Sequence, residues 1–186
     1  MRGIRKCYTT HIPLWDGSDY ELNVNGTIEG CDCKVKRTRL VWIVDWLCGV
    51  LLIGITAWVA CHYAAMPDKI PTHFGADGAI DGYGGKSMIW GLLAIMWVLI
   101  IVMSVTELFP RHWNIPFNVT KENHSRMMTL TWHLISTTKL LVASLFAYLI
   151  IMSMRGENLS VYFTPMVLTA VCANSLYWVV RLFQNR

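Results

Sequence analysis

The sequence predicts an all-α integral membrane protein: a four-transmembrane-helix bundle with an ordered extracytoplasmic loop between helices 1 and 2. Three observations predict it. Only 15% of the 186 residues are charged against 54% hydrophobic, where soluble domains carry roughly a quarter charged. Four apolar segments are each long enough to cross a bilayer, which takes about 20 residues. Between the first two lies the stretch Met66–Lys86, MPDKIPTHFGADGAIDGYGGK, dense in Pro, Gly and Asp.

Residues 1–39 read as a polar cytoplasmic tail, too small to bury a core of its own. Thr10–Trp15 and Tyr20–Val24 are candidate extended pieces, with Asn25-Gly26 as a turn signal. The tail has no apolar h-region, so no cleavable signal peptide is expected and the first span directs insertion. Of six cysteines, Cys7, Cys31 and Cys33 lie in the tail and Cys48, Cys61 and Cys172 in the spans. Cys31-Asp-Cys33 is half of a thiolate metal site at most. No second half with ligand spacing follows, so reduced thiols are the expected state.

The membrane domain is expected over residues 40–186, with spans near 41–63, 88–109, 132–154 and 161–183. In the connector before the third span, Asn114–Val119 is extended, because proline restricts the residue before it. Thr120 is the expected N-cap of a helix running unbroken through Met127 and Leu130 into that span, with Trp132 and His133 at headgroup depth. Asn118-Val-Thr120 and Asn158-Leu-Ser160 match the glycosylation sequon; the first falls on the cytoplasmic side and reads as a chance match. Pro165 interrupts the fourth span near its outer end.

Lys and Arg are retained on the cytoplasmic side. Lys34, Lys36, Arg37 and Arg39 precede span 1, Arg111, Lys121 and Arg126 follow span 2, and Arg181 and Arg186 follow span 4. Both termini are therefore expected in the cytoplasm and Met66–Lys86 outside. The net charge of +4 is spread over tails and loops. It forms no clustered basic stripe, so nucleic acid is not an expected partner and the lipid bilayer is.

Ionisable groups inside spans are costly and are functional hypotheses by default. They are Asp45, Glu107 and Lys139, joined by Asn174 as a polar group able to bond across helices. At ~1.5 Å per residue, Asp45 is about 6 Å and Lys139 about 10 Å inside its span. Lys139 can snorkel to that depth and meet Asp45 or Glu107. One reading is a relay from Asp45 through Lys139 to Asn174. The plainer reading, a pinned bundle with one snorkelling lysine, is preferred because every charge is shallow and nothing continues the relay outward.

In the outer loop, Pro67 and Pro71 impose extended geometry at the exit of span 1. Asp77-Gly78 and Asp81-Gly82 are turn pairs, Gly84-Gly85 permits a further bend, and Ser87 is the candidate N-cap of span 2. The segment is expected to fold back as a compact cap, with Ile70, Phe74, Ile80 and Tyr83 on its buried side. His73, Asp68, Asp77 and Asp81 are all capable ligands. Asp77–Gly82 is not a calcium-loop pattern, and zinc would recruit more His or Cys. Hydrogen bonds that tie down turns are the expected role, with no metal, no cofactor and no catalytic residue.

Met66-Pro-Asp-Lys-Ile-Pro-Thr-His-Phe74, followed by Gly78-x-x-Asp81-Gly82-x-Gly84-x-Lys86, resembles the signature of a bacterial membrane family of unknown function. The domain of that family also forms the N-terminal part of sporulation-delaying-protein (Sdp-type) immunity proteins. The likeness continues at Pro116–Asn123 and covers roughly residues 45–150. The Arg-Thr-Pro-Trp motif of the Sdp-type proteins does not occur in these residues. The resemblance implies a bacterial cytoplasmic-membrane protein, non-enzymatic, of sensor or immunity type. Its outer loop would recognise a peptide, toxin or membrane-protein partner, shaped by Pro67, Pro71, His73, Phe74, Gly78, Asp81, Gly82, Gly84 and Lys86. The competing readings are a small transporter or transport accessory subunit using Asp45, Glu107, Lys139 and Asn174, and a metal-dependent membrane enzyme built on His73 with Asp77 and Asp81.

Overall fold

Thr38 begins the first helix. Its backbone is extended and its hydroxyl accepts from the Val41 N–H at 3.5 Å, so α1 runs Arg39–His62. This computed structural model describes residues 20–22, 28–30, 37–110, 113–115 and 123–185. The expected features at Cys7, Thr10–Trp15, Asn25-Gly26, Cys31, Cys33, Asn118 and Thr120 lie outside them. In the tail, β1 (Tyr20–Leu22) and β2 (Ile28–Gly30) pair antiparallel, Tyr20 opposite Gly30 and Leu22 opposite Ile28.

α1 tightens into a single 3-10 turn at Tyr63–Ala65, and Met66 then turns extended at φ −72°, ψ 146°. Pro67 enforces this, since the residue before a proline is driven out of the helical region. The cap expected of Met66–Lys86 is a β-hairpin: β3 (Lys69–Phe74) pairs antiparallel with β4 (Ile80–Gly85). α2 follows at Met88–Leu108. Ser87 does not cap it as expected: its backbone is already helical (φ −63°, ψ −21°) and its side chain makes no capping bond.

α3 spans His124–Arg155, 32 residues and therefore about 48 Å. The described helix begins after Asn123, so a start at Thr120 is not among the described positions. It ends on Gly156 at φ 69°, whose N–H bonds the Met152 carbonyl at 3.0 Å, a left-handed stop that glycine adopts without a Cβ penalty. α4 is Phe163–Gln184. Because it starts two residues later than expected, Pro165 falls in its first turn. The missing N–H is one that no helix pairs internally, so the proline does not interrupt the span.

All four helices are long and apolar enough to cross a membrane. α3 is the hub: α1, α2 and α4 each pack on it, whereas α1 and α2 touch each other far less. The main core joins Val44, Cys48, Leu52, Ile55 and Val59 of α1 to Ile89, Leu93, Met96 and Ile100 of α2. Ala143 and Ala147 of α3 let those helices close on it, as small residues do inside membranes. Met127 and Leu130 of α3 meet Trp178 and Leu182 of α4 in a second cluster. Side-chain bonds staple helices within the bundle: Trp97 Nε1 donates to Thr56 Oγ1 at 3.1 Å, Asn174 Nδ2 to Thr138 Oγ1 at 3.1 Å, and Trp178 Nε1 to Thr137 Oγ1 at 3.0 Å.

Candidate functional site

Two polar constellations stand out, one at each end of the bundle. The first is the hairpin. A proline inside a strand is tolerated at a sheet edge, and in a two-stranded ribbon both strands are edges, so Pro71 fits β3. Pro71 lies opposite Tyr83, His73 opposite Gly82, and Phe74 opposite Ile80. That register leaves Thr72 extra on β3 and Asp81 extra on β4, a pair of compensating bulges. They re-aim the flanking side chains, and His73 Nδ1 meets Asp81 Oδ1 on the solvent side, with side chains 74% and 49% exposed.

The tip is built from short-range bonds. Gly75 N–H donates to the Ala79 carbonyl at 2.8 Å, and Ala79 N–H to Asp77 Oδ1 at 3.1 Å. It also docks onto the α3–α4 connection: Leu159 N–H donates to the Gly78 carbonyl at 2.8 Å, and Asn158 Oδ1 accepts from Ile80 N–H at 3.0 Å. Gly78 has φ 84°, and a Cβ there would lie 2.5 Å from the Leu159 carbonyl oxygen. Only glycine satisfies both conditions. Gly84 is a close approach of another kind, since a Cβ would meet the Thr72 and Met88 side chains.

At the base, Lys86 Nζ pairs with Asp68 at 3.1 Å and lies 5.8 Å from the Tyr63 ring centroid. Met66, Ile70 and Pro71 are buried beneath the ribbon, and Phe74 and Ile80 are half-buried. Tyr83, expected on the buried side, is 65% exposed; β4 turns Ile80, Gly82 and Gly84 toward the protein and Asp81 and Tyr83 away. Pro67 is exposed at the strand entry. Of the candidate ligands, His73 joins Asp81, Asp77 folds back on its own turn, and Asp68 is held by Lys86. Among the described residues no three His, Cys, Asp or Glu side chains converge as metal ligands.

The second constellation lies at the opposite end. Lys139 Nζ is 2.5 Å from Asp45 Oδ1, 2.9 Å from Glu107 Oε1 and 3.0 Å from Glu107 Oε2, and 3.4 Å from Ser104 Oγ. The Lys139 and Glu107 side chains are 2% and 1% exposed, so the lysine does not snorkel to water; it meets both acids below the surface. Ser136 Oγ donates to Glu107 Oε1 at 3.0 Å, and Arg37 Nη1 to Asp45 Oδ2 at 3.3 Å. Buried Glu107 thus has a cation and a further donor, which a charge in a low-dielectric interior requires, and the part-exposed Asp45 has two cations. A partly open cavity of about 280 Å³ lies beside the cluster, between α1 and α2.

Asn174 bonds Thr138 on the α4 side of α3, so these bonds draw no path from Lys139 to it. Sequence reasoning counted Arg37 only as a topology marker and did not single out Ser104 or Ser136. The signal for Arg37 was its place one turn ahead of a span that carries an acid. The two serines had no signal beyond their helical phase with Glu107 and Lys139. Thr38 Oγ1, 2.7 Å from His133 Nε2, was missed for the same reason.

No curated protein and no solved structure matches the chain. Residues 50–97, which run from α1 through the hairpin into α2, match a domain of unknown function (DUF1648), so the chain carries that domain within a membrane-type helical architecture.

Proposed function

We propose that this is a non-enzymatic multi-pass protein of the bacterial cytoplasmic membrane, related to the Sdp-type immunity proteins. In this reading both termini are cytoplasmic, and the β3–β4 hairpin recognises an extracytoplasmic peptide, toxin or membrane-protein partner. The observation that carries it is the hairpin's division of labour. Its base and tip are fastened, by Lys86–Asp68 below and by Asn158 and Leu159 at the side, while His73, Asp81 and Tyr83 are left exposed. A ribbon held on its scaffold with polar and aromatic side chains outward loses little entropy on binding. The resemblance of Met66–Lys86 to the Sdp-type domain supports the same reading.

The test compares cells with and without the protein in spent medium of a strain that secretes a sporulation-delaying-type toxin. Protection is expected from the wild type and is expected to fall in His73→Ala and Asp81→Ala proteins that insert at normal levels. Full protection by both variants would remove the hairpin from the role. Asp77→Cys should react with an impermeant thiol reagent on intact cells; labelling only after permeabilisation would reverse the orientation.

A second reading, a small transporter or accessory subunit, is favoured by the buried Lys139 cluster and its cavity. Proton-gradient-dependent uptake that vanishes in Lys139→Ala would support it.

A further inference from the structure

We propose that the cavity between α1 and α2 holds the headgroup of an aminophospholipid of the cytoplasmic leaflet, with Arg37 taking the phosphate and Asp45 the ammonium. The proposal does not depend on what the hairpin recognises.

The charges come first. Arg37, Asp45, Glu107 and Lys139 all line the cavity. Their formal charges cancel, which disfavours a purely anionic or purely cationic guest and suits one carrying both signs. The two ends are unequal. Lys139 is engaged by both carboxylates and a serine hydroxyl. Arg37, among the described residues, spends a single nitrogen on Asp45. A guanidinium has five N–H donors in a planar fork, the geometry that matches a phosphate.

The position of Arg37 is also fixed. Its guanidinium carbon lies 5.7 Å from the Trp42 ring and 5.3 Å from the Trp132 ring, within cation–π range of both. A guanidinium so placed is oriented before any ligand arrives. Asp45, bonded to Arg37 on one oxygen and Lys139 on the other, has side-chain exposure of 22%. Carboxylate oxygens carry about four lone-pair sites in all, so Asp45 can still accept from an ammonium beside the arginine.

Depth selects a lipid over a soluble zwitterion. Arg37 stands just before α1, and Trp42, Trp113 and Trp132 gather around this end. Tryptophans mark the headgroup level of membrane proteins, so a phosphate reaching Arg37 is at the level of the lipid phosphates. Ile100 and Leu108 line the same cavity, and Leu108 is 50% exposed, so an acyl chain leaving the headgroup meets apolar helix surface.

The test is native mass spectrometry of the full-length protein released from detergent, with phosphatidylethanolamine, phosphatidylcholine and phosphatidylglycerol each titrated. Retention of phosphatidylethanolamine is expected to exceed that of the other two. Arg37→Gln is expected to weaken it about tenfold or more, the scale of one charge-assisted pair. Asp45→Asn is expected to narrow the difference between ethanolamine and choline headgroups. Arg37 is at the rim of the bundle, so its variants report even where Asp45→Asn does not fold. Equal or tighter retention of phosphatidylglycerol or phosphatidylcholine by the wild type overturns the proposal, as does undiminished phosphatidylethanolamine retention by Arg37→Gln. Displacement of the lipid by equimolar glycerophosphoethanolamine would overturn the lipid as occupant and leave a site for a soluble zwitterion.

Discussion

The two polar ends of this bundle use the same chemistry in opposite settings. At the hairpin, each polar side-chain pair joins residues of the same short segment, His73 with Asp81 and Lys86 with Asp68, and at least one partner is well exposed. At the other end, Asp45, Glu107 and Lys139 come from three different helices and meet with almost no exposure of the lysine or the glutamate. Exposed pairs are screened by water and cost little to break, whereas buried ones cannot lose a partner without stranding a charge. The hairpin pairs are therefore free to serve a surface, and the inner triad is committed to holding helices in register. Shape at the hairpin end comes from the backbone and from contacts such as Gly78 against Leu159.

The contrast breaks first at Lys139. Lys139→Ala leaves Asp45 and Glu107 facing each other in the bundle, and a loss of about 3–5 kcal/mol is expected on removing one partner of a buried pair. Thermal unfolding in detergent would read it. A triple variant, Asp45→Asn, Glu107→Gln and Lys139→Met, should recover most of the loss, because it removes the stranded charges. A Lys139→Ala protein as stable as the wild type would show that the triad does not clamp the helices.

A smaller effect is expected at Gly78→Ala. A non-glycine residue at this φ costs about 1–3 kcal/mol, and its methyl would meet the Leu159 carbonyl. The loss should be local: hydrogen exchange should quicken across residues 75–85 while α3 stays protected. Uniform loosening of the whole bundle would mean that the hairpin is part of the core and not a docked cap.

The smallest effect belongs to the exposed pair. His73→Ala and Asp81→Ala should each change stability by under about 0.5 kcal/mol, in the range of surface ion pairs. A larger loss in the same unfolding assay would place this pair with the inner triad and collapse the distinction between the two ends.

The spans were legible because hydropathy is a local property of about 20 consecutive residues. So was the meeting of Lys139 with the acids, since counting residues from each span's end put them at similar depth. The strands were not. Pro71 argues against a strand, and Gly82, Gly84 and Gly85 carry little strand propensity. What makes them a ribbon is the support beneath Ile70 and the docking of the tip on Asn158 and Leu159. Those partners are more than 70 residues away in the chain. Their arrival depends on where α3 stops, at Gly156. Tyr83 was misplaced because the segment was not recognised as a strand: β4 alternates, so Ile80 facing inward sends Tyr83, three residues on, outward.

The central place of α3 has a consequence for biogenesis. α1 and α2 leave the ribosome first, yet they touch each other little and bury their facing residues mainly on a helix not yet made. Until α3 emerges, Asp45 can already pair with Arg37, whereas Glu107 has no cation. The third helix thus brings the cation that Glu107 lacks together with the surface on which α1 and α2 pack.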